Sequence, residues 1–245
     1  LVDRLLNMKA KVNAAEKHFG MTPLILACKM GHSDVFDRLL ESGANLNIKC
    51  DHGKWPIHYV CMNGNLEIFN KLVNLGVNLE EEDAFCLRPL HYICKRGHYI
   101  YATRGKQSQE SFKISTVGHH SQIFDRLLEL GVDINAVSNK DPSKSTPLIL
   151  ACEDGDMDRF DKLLSLGAKL DLNKLLPAAC SGGGIEIFNK LIESGADVNS
   201  RDERGQTPMF YIIFYYFLAQ ASDKNAATAD DYLKILDRLV ELGAD

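Results

Sequence analysis

Long apolar runs are missing from this chain. None reaches the ~20 consecutive residues that a membrane helix needs. The longest candidate, Met209 to Ala219, is about half that and reads as a buried helix, so no membrane partner is expected. A basic excess is missing too. The chain carries 28 Lys and Arg against 33 Asp and Glu, a formal net charge of −5, so broad nucleic-acid binding is not expected. Catalytic constellations are also lacking. The run Ser181-Gly182-Gly183-Gly184 has no Gly-Lys-Ser/Thr and falls on a helix–helix turn, so it is a poor phosphate loop. Cys94, His98, His119 and His120 can be drawn as a zinc site. However, Cys94 lies in a register with other cysteines, and His98 repeats the Gly-His of Gly31-His32. Cys61 beside His58 lacks a third, orienting group. No catalytic residue, metal or cofactor is expected, and the chain does not read as an enzyme.

What is present is self-similarity. Pro23, Pro56 and Pro89 are 33 residues apart, and the register returns at Pro147, at Leu175 in proline's place, and at Pro208. Six near copies of one phrase precede Gly43, Gly76, Gly131, Gly167, Gly195 and Gly243: FDRLLESG, FNKLVNLG, FDRLLELG, FDKLLSLG, FNKLIESG and LDRLVELG. Within a copy, Thr22 is placed to cap a helix that Pro23 starts, and Gly31 to end it. Val35, Leu39 and Leu40 give a second helix its apolar stripe. Two short helices cannot bury both faces alone, so each copy needs neighbours.

Five of the seven cysteines, Cys28, Cys61, Cys94, Cys152 and Cys180, stand five residues after the proline register. This is the position of a small buried residue. Successive helices pack ~8–10 Å apart, beyond the ~7 Å Cα limit for a disulfide. Reduced thiols are expected, which favours a cytoplasmic or nuclear setting.

The period, together with T-P-L-x-x-A-C-x-x-G and the second-helix phrase, resembles the ankyrin repeat over nearly the whole chain. The expected fold is an all-α ankyrin-repeat solenoid of stacked helix–turn–helix pairs with short β-hairpin or loop fingers, forming one domain over 1–245. Its parts are a partial repeat at 1–17 and repeats at 18–50, 51–83, 84–137, 138–170, 171–201 and 202–245. Insertions fall at 98–119 and 217–231. The first of these carries Arg104, Lys106 and Lys113 and reads as a surface loop or a contact arm. Repeat five has a connection about five residues shorter than the others, which stunts its finger. Leu1 stands mid-pattern, so the sequence reads as a fragment of a longer protein.

The resemblance implies a protein or peptide partner in a concave groove made of fingers and first helices. It also implies a bracing role for His58 and His91, and asparagines such as Asn47, Asn135 and Asn199 that can be hydroxylated. Carried onto this chain, the groove over the first three repeats is basic with apolar anchors: Lys29, Lys54, Lys95 and Arg96, with Phe19, Met21, Met30, Met62 and Phe85. His52 lies among them. Over repeat four the groove turns acidic at Glu153, Asp154, Asp156 and Asp158. An acidic–hydrophobic partner segment fits that pattern. Two further classes stay open. One is the substrate-targeting region of a larger enzyme, or of a microbial effector acting in host cytoplasm. The other is self-association through the aromatic last repeat.

Overall fold

The computed structural model describes residues 8, 10–95, 119–140, 144–202, 204–221 and 229–245. Its contacts divide the chain into two compact units. Unit 1 holds Leu1–Asp133 and Ser138–Asp141; unit 2 holds Ile134–Val137 and Pro142–Asp245.

Unit 1 contains α1 (Pro23–Met30), α2 (Ser33–Glu41), α3 (Pro56–Asn63), α4 (Leu66–Asn74), α5 (Pro89–Cys94) and α6 (His120–Glu129). First helices pack on first helices, α1 on α3 and α3 on α5. Second helices pack in a parallel row, α2 on α4 and α4 on α6. The local code works as the residues dictate. Thr22 Oγ1 accepts the Ile25 N–H at 3.3 Å, and Gly31 closes α1 in the left-handed region at φ 70°. The core line of α2 is shifted from its expected place: Phe36 and Leu39 are buried, while Val35 and Leu40 are half-buried. In α4, with helices on both sides, Ile68, Phe69 and Leu72 are all fully buried. The second helices are cross-linked by Lys71, whose ammonium lies 2.7 Å from Asp37 of the preceding repeat.

Unit 2 contains α7 (Pro147–Glu153), α8 (Met157–Ser165), α9 (Leu172–Gly182), α10 (Ile185–Glu193), α11 (Pro208–Ala221) and α12 (Ala229–Glu241). The same two rows form, α7–α9–α11 and α8–α10–α12. Phe160, Leu163, Phe188 and Leu191 repeat the buried Phe-x-x-Leu pair. Helix α9 starts at Leu172, three residues ahead of the Leu175 register, and so carries Pro177 inside it. Of the segment 217–231, residues 217–221 continue α11 and 229–231 open α12. The segment 98–119 lies outside the described residues except for His119, which precedes α6.

No strand occurs among the described residues. The fingers are turns, closed by Cys50 N–H to Lys54 O, Asp83 N–H to Leu87 O and Asp202 N–H to Gln206 O, each at 3.0 Å. The Ser-Gly-Gly-Gly run is a packing device. A Cβ on Gly182 would fall 2.4 Å from the Glu153 carbonyl oxygen, so α7 and α9 approach at backbone distance.

Candidate interaction surfaces

In unit 1 the fingers form a ladder. The Phe19 carbonyl accepts the Asp51 N–H at 2.8 Å, and the His52 carbonyl accepts the Ala84 N–H at 3.0 Å. The approach is close enough that a Cβ on Gly53 would meet Ala84 N at 2.5 Å. It lays the Phe19 and His52 rings nearly parallel, with centroids 6.1 Å apart. Phe85, half-buried, holds the next equivalent place. Its carbonyl accepts the Ser138 hydroxyl at 2.7 Å.

Fingers two and three are latched to the helix behind them, and finger one is held by a carboxylate within its own turn. Asp83 Oδ1 accepts the N–H groups of Phe85 and Leu87 at 2.8 and 2.9 Å, and Oδ2 accepts the Tyr92 hydroxyl. In finger one, Glu16 accepts the N–H groups of His18, Phe19 and Met21, and these bonds hold its carboxyl below the usual range. In finger two, Cys50 Sγ lies 3.3 Å from the Tyr59 hydroxyl. The latching tyrosines also carry the basic residues. Lys29 and Lys54 converge on Tyr59, at 6.0 and 5.8 Å from its ring centre, and Lys54 also lies 5.5 Å from the Tyr92 ring.

His58 fastens finger three from below. Its Nδ1 accepts the Trp55 N–H at 3.0 Å, which leaves Nε2 to donate to Glu81 O at 3.0 Å and Leu87 O at 3.2 Å. Burial pushes its pKa down to about 4, against the opposing pull of Asp83 and the two carbonyls. His91 begins the same motif by accepting the Arg88 N–H at 3.1 Å.

Of the residues expected in the groove, Phe19, His52, Lys29, Lys54 and Phe85 lie on this face. Met30 is exposed beside Lys29. Met62 is half-buried, its carbonyl accepting from His120 Nε2 at 3.2 Å. Lys95 is half-buried at the end of α5, and Arg96 lies outside the described residues. Met21 is a correction: it is only 3% exposed, packed inward two residues before Pro23 with no surface to offer. Leu87 and Ser145, two residues before their own prolines, are buried in the same way. The sequence reading missed Tyr59 and Tyr92. The available signal was the nine-residue spacing from Cys50, Asp83 and Asp202 to Tyr59, Tyr92 and Tyr211.

In unit 2, Glu153 and Asp154 are half-buried at the end of α7. Asp156 is a second correction. It caps α8 through the Arg159 N–H and holds the Arg159 guanidinium at 2.8 Å, with the two side chains 7% and 3% exposed. Arg159 stands where the other repeats place Val35, Ile68, Ile123, Ile187 and Ile235. Asp156 is therefore committed to the interior, not to an acidic surface.

Cys28, Cys61, Cys94, Cys152 and Cys180 are buried, and burial raises the thiols of Cys28, Cys61, Cys152 and Cys180. Thiols in that state are poor nucleophiles. Asn135 accepts the Lys169 N–H at 2.8 Å, and Asn199 bonds Gly243 O and Asp245 N–H.

The family model for ankyrin repeats (3 copies) matches residues 1–83 and 112–202. Among solved structures, the crystal structure of the human ASB11 ankyrin repeat domain is similar over 95% of this chain and 90% of that one. The TM-score is 0.64 and the sequence identity 25%. No curated protein matches the chain.

Proposed function

The chain belongs to the ankyrin-repeat family, whose repeats are generally protein–protein interaction modules, and from that premise we propose that unit 1 is a non-catalytic docking face for a partner segment both acidic and hydrophobic. One observation carries the reading: Lys29 and Lys54 converge on the Tyr59 ring within 6.0 Å, flanked by exposed Met30 and the Phe19–His52 pair. The Tyr59 ring is itself buried, so what this place offers an incoming carboxylate is the positive charge of the two lysines on it. The half-buried Phe19–His52 pair and exposed Met30 supply apolar contact beside them. A Lys29→Glu/Lys54→Glu variant tests the placement, with affinity capture from cytosolic lysate at low and high salt. The expected result is a partner held by wild type, lost in the variant, and weakened by salt. Equal capture by both, with unchanged circular dichroism melts, would remove the partner from this face.

Self-association is a second reading, favoured by α11. Phe210, Ile213, Phe214, Phe217 and Leu218 recur at i, i+3, i+4, i+7 and i+8, and all are exposed. Ile213 occupies the register of the five buried cysteines yet is 45% exposed.

A further inference from the structure

We infer that unit 2 holds a second docking site, a notch over α9 that accepts one large uncharged side chain, aromatic or leucine-like, from an extended partner segment. It rests on the docking-module reading above but uses different residues in a different unit.

Two departures from the repeat make the notch. Eight residues separate Gly167 from the Leu175 register, whereas thirteen separate Gly43 from Pro56 and Gly195 from Pro208. With α8 ending at Ser165 and α9 starting at Leu172, repeat five has no fingertip above its first helix. The second departure is at the position three residues after the proline register. The other repeats place Leu26, Tyr59, Tyr92, Leu150 and Tyr211 there, but repeat five has Ala178. In the repeats with a latched finger the large side chain is the tyrosine that holds it. Repeat five has lost the finger and the latch together.

The result is a cavity of about 160 Å³. That matches the ~150 Å³ apolar cavity known to take a benzene-sized guest, enough for one large side chain. Pro177 and Ala178 form the floor, and Ile149 of α7 one wall. Tyr211 and Tyr215 form the other, stacked 6.4 Å apart with their planes 15° apart. This wall is fixed in place. The Tyr211 hydroxyl donates to Asp202 Oδ2 at 2.6 Å, and Asp202 Oδ1 accepts the N–H groups of Arg204 and Gln206. The floor is fixed by the backbone contact of Gly182 with α7.

The lining charges select for a neutral guest. The lining holds two carboxylates, Glu153 and Asp202, and two cations, Lys174 and Arg204, and Asp202 already accepts three hydrogen bonds. A charged side chain entering would give up hydration for no net field. An uncharged one covers Ile149, Pro177, Ala178 and the tyrosine faces, and so supplies in trans the side chain that other repeats supply in cis.

The test is methyl NMR on the whole chain, following Ile149 and Ala178 during titration with N-acetyl-phenylalaninamide, N-acetyl-leucinamide, N-acetyl-alaninamide and N-acetyl-argininamide. Saturable shifts with the phenylalanine and leucine amides are expected, at least about fivefold tighter than with the other two. Ala178→Leu, which restores a residue used at this register, should abolish them. Tyr215→Ala should weaken them without filling the floor, so the proposal stays testable if one variant folds poorly. The Lys29→Glu/Lys54→Glu variant should bind the amides as wild type does, which separates failure here from failure of the unit 1 face. Equal shifts with all four amides, preference for the arginine amide, or binding unchanged in Ala178→Leu would overturn the assignment.

Discussion

His58 ties the pH response of unit 1 to one buried ring. The native protein holds it neutral, with Nε2 donating to Glu81 O and Leu87 O, and its pKa is pushed down to about 4. The unfolded chain binds a proton near pH ~6.5. The contribution of His58 is therefore complete above ~6.5 and is lost as pH falls toward about 4. Between pH ~7.5 and ~5 this amounts to about 2 kcal/mol. Urea unfolding at the two pH values should show that loss in wild type. His58→Ile, borrowing the residue found at Ile25 and Ile149, should be less stable at both values but should lose about 2 kcal/mol less between them. An unchanged slope in the variant would assign the acid sensitivity elsewhere. The residue was legible in the sequence because it stands two positions after Pro56. Its neighbours were less so. Met21 is apolar and adjacent to the finger, which looks like an anchor from spacing alone. Only the inward turn of the chain before Thr22 shows it to be core. Likewise Cys86 and Lys144 adopt φ of 61° and 46° at the fingertip place where Gly53 and Gly205 stand, so glycine spacing does not locate every finger.

At the scale of the helix, the pairs were readable because each carries its own punctuation. Thr-Pro opens the first helix, glycine closes it, and Phe-x-x-Leu marks the second. Elements departed from the reading where tertiary contact overrides punctuation. Helix α9 begins three residues before its register, since no finger occupies that length of chain. Helix α11 continues through Ala221, because its apolar sequence has no glycine after the register position where Gly31 ends α1. The tyrosine latches were not read because they join a finger to a helix nine residues on, a period that belongs to neither helix nor strand. Gly182 is the sharpest case of backbone contact deciding composition. Its Cα faces the Glu153 and Cys152 carbonyl oxygens, which a Cβ would meet at 2.4 and 2.7 Å. Carbonyls of a packed helix cannot swing aside as a side chain could. Gly182→Ala must push α9 from α7, at a cost of roughly 1–3 kcal/mol typical of overpacking. Gly195→Ala makes no such contact and costs only through its positive φ. A fall in urea midpoint at unchanged slope for Gly182→Ala, with the 160 Å³ notch altered in the NMR titration, would support this account. A neutral substitution would show that the helices can separate freely.

At the scale of the molecule, first helices pack in rows, and α11 is the last first helix among the described residues. On α3 the position two after proline is His58, fully buried because the next finger closes over it. On α11 the same position is Phe210, exposed, with Phe217 at 62%. Helix α11 carries no charged residue over Pro208–Ala221, so two copies meeting about a two-fold axis would bring no like charges together. Five exposed large side chains at helical spacing form a stripe that is complementary to itself. Light scattering across a concentration series should therefore show this 27.3 kDa chain moving toward twice its mass. Phe214→Asp, at the middle of the stripe, should return it to monomer. The melting temperature extrapolated to low concentration should not change, because Phe214 is half exposed and carries little of the unit 2 core. A mass that stays at 27.3 kDa throughout would mean the stripe is not self-complementary. A Phe214→Asp chain that still dimerises would place the contact on another surface.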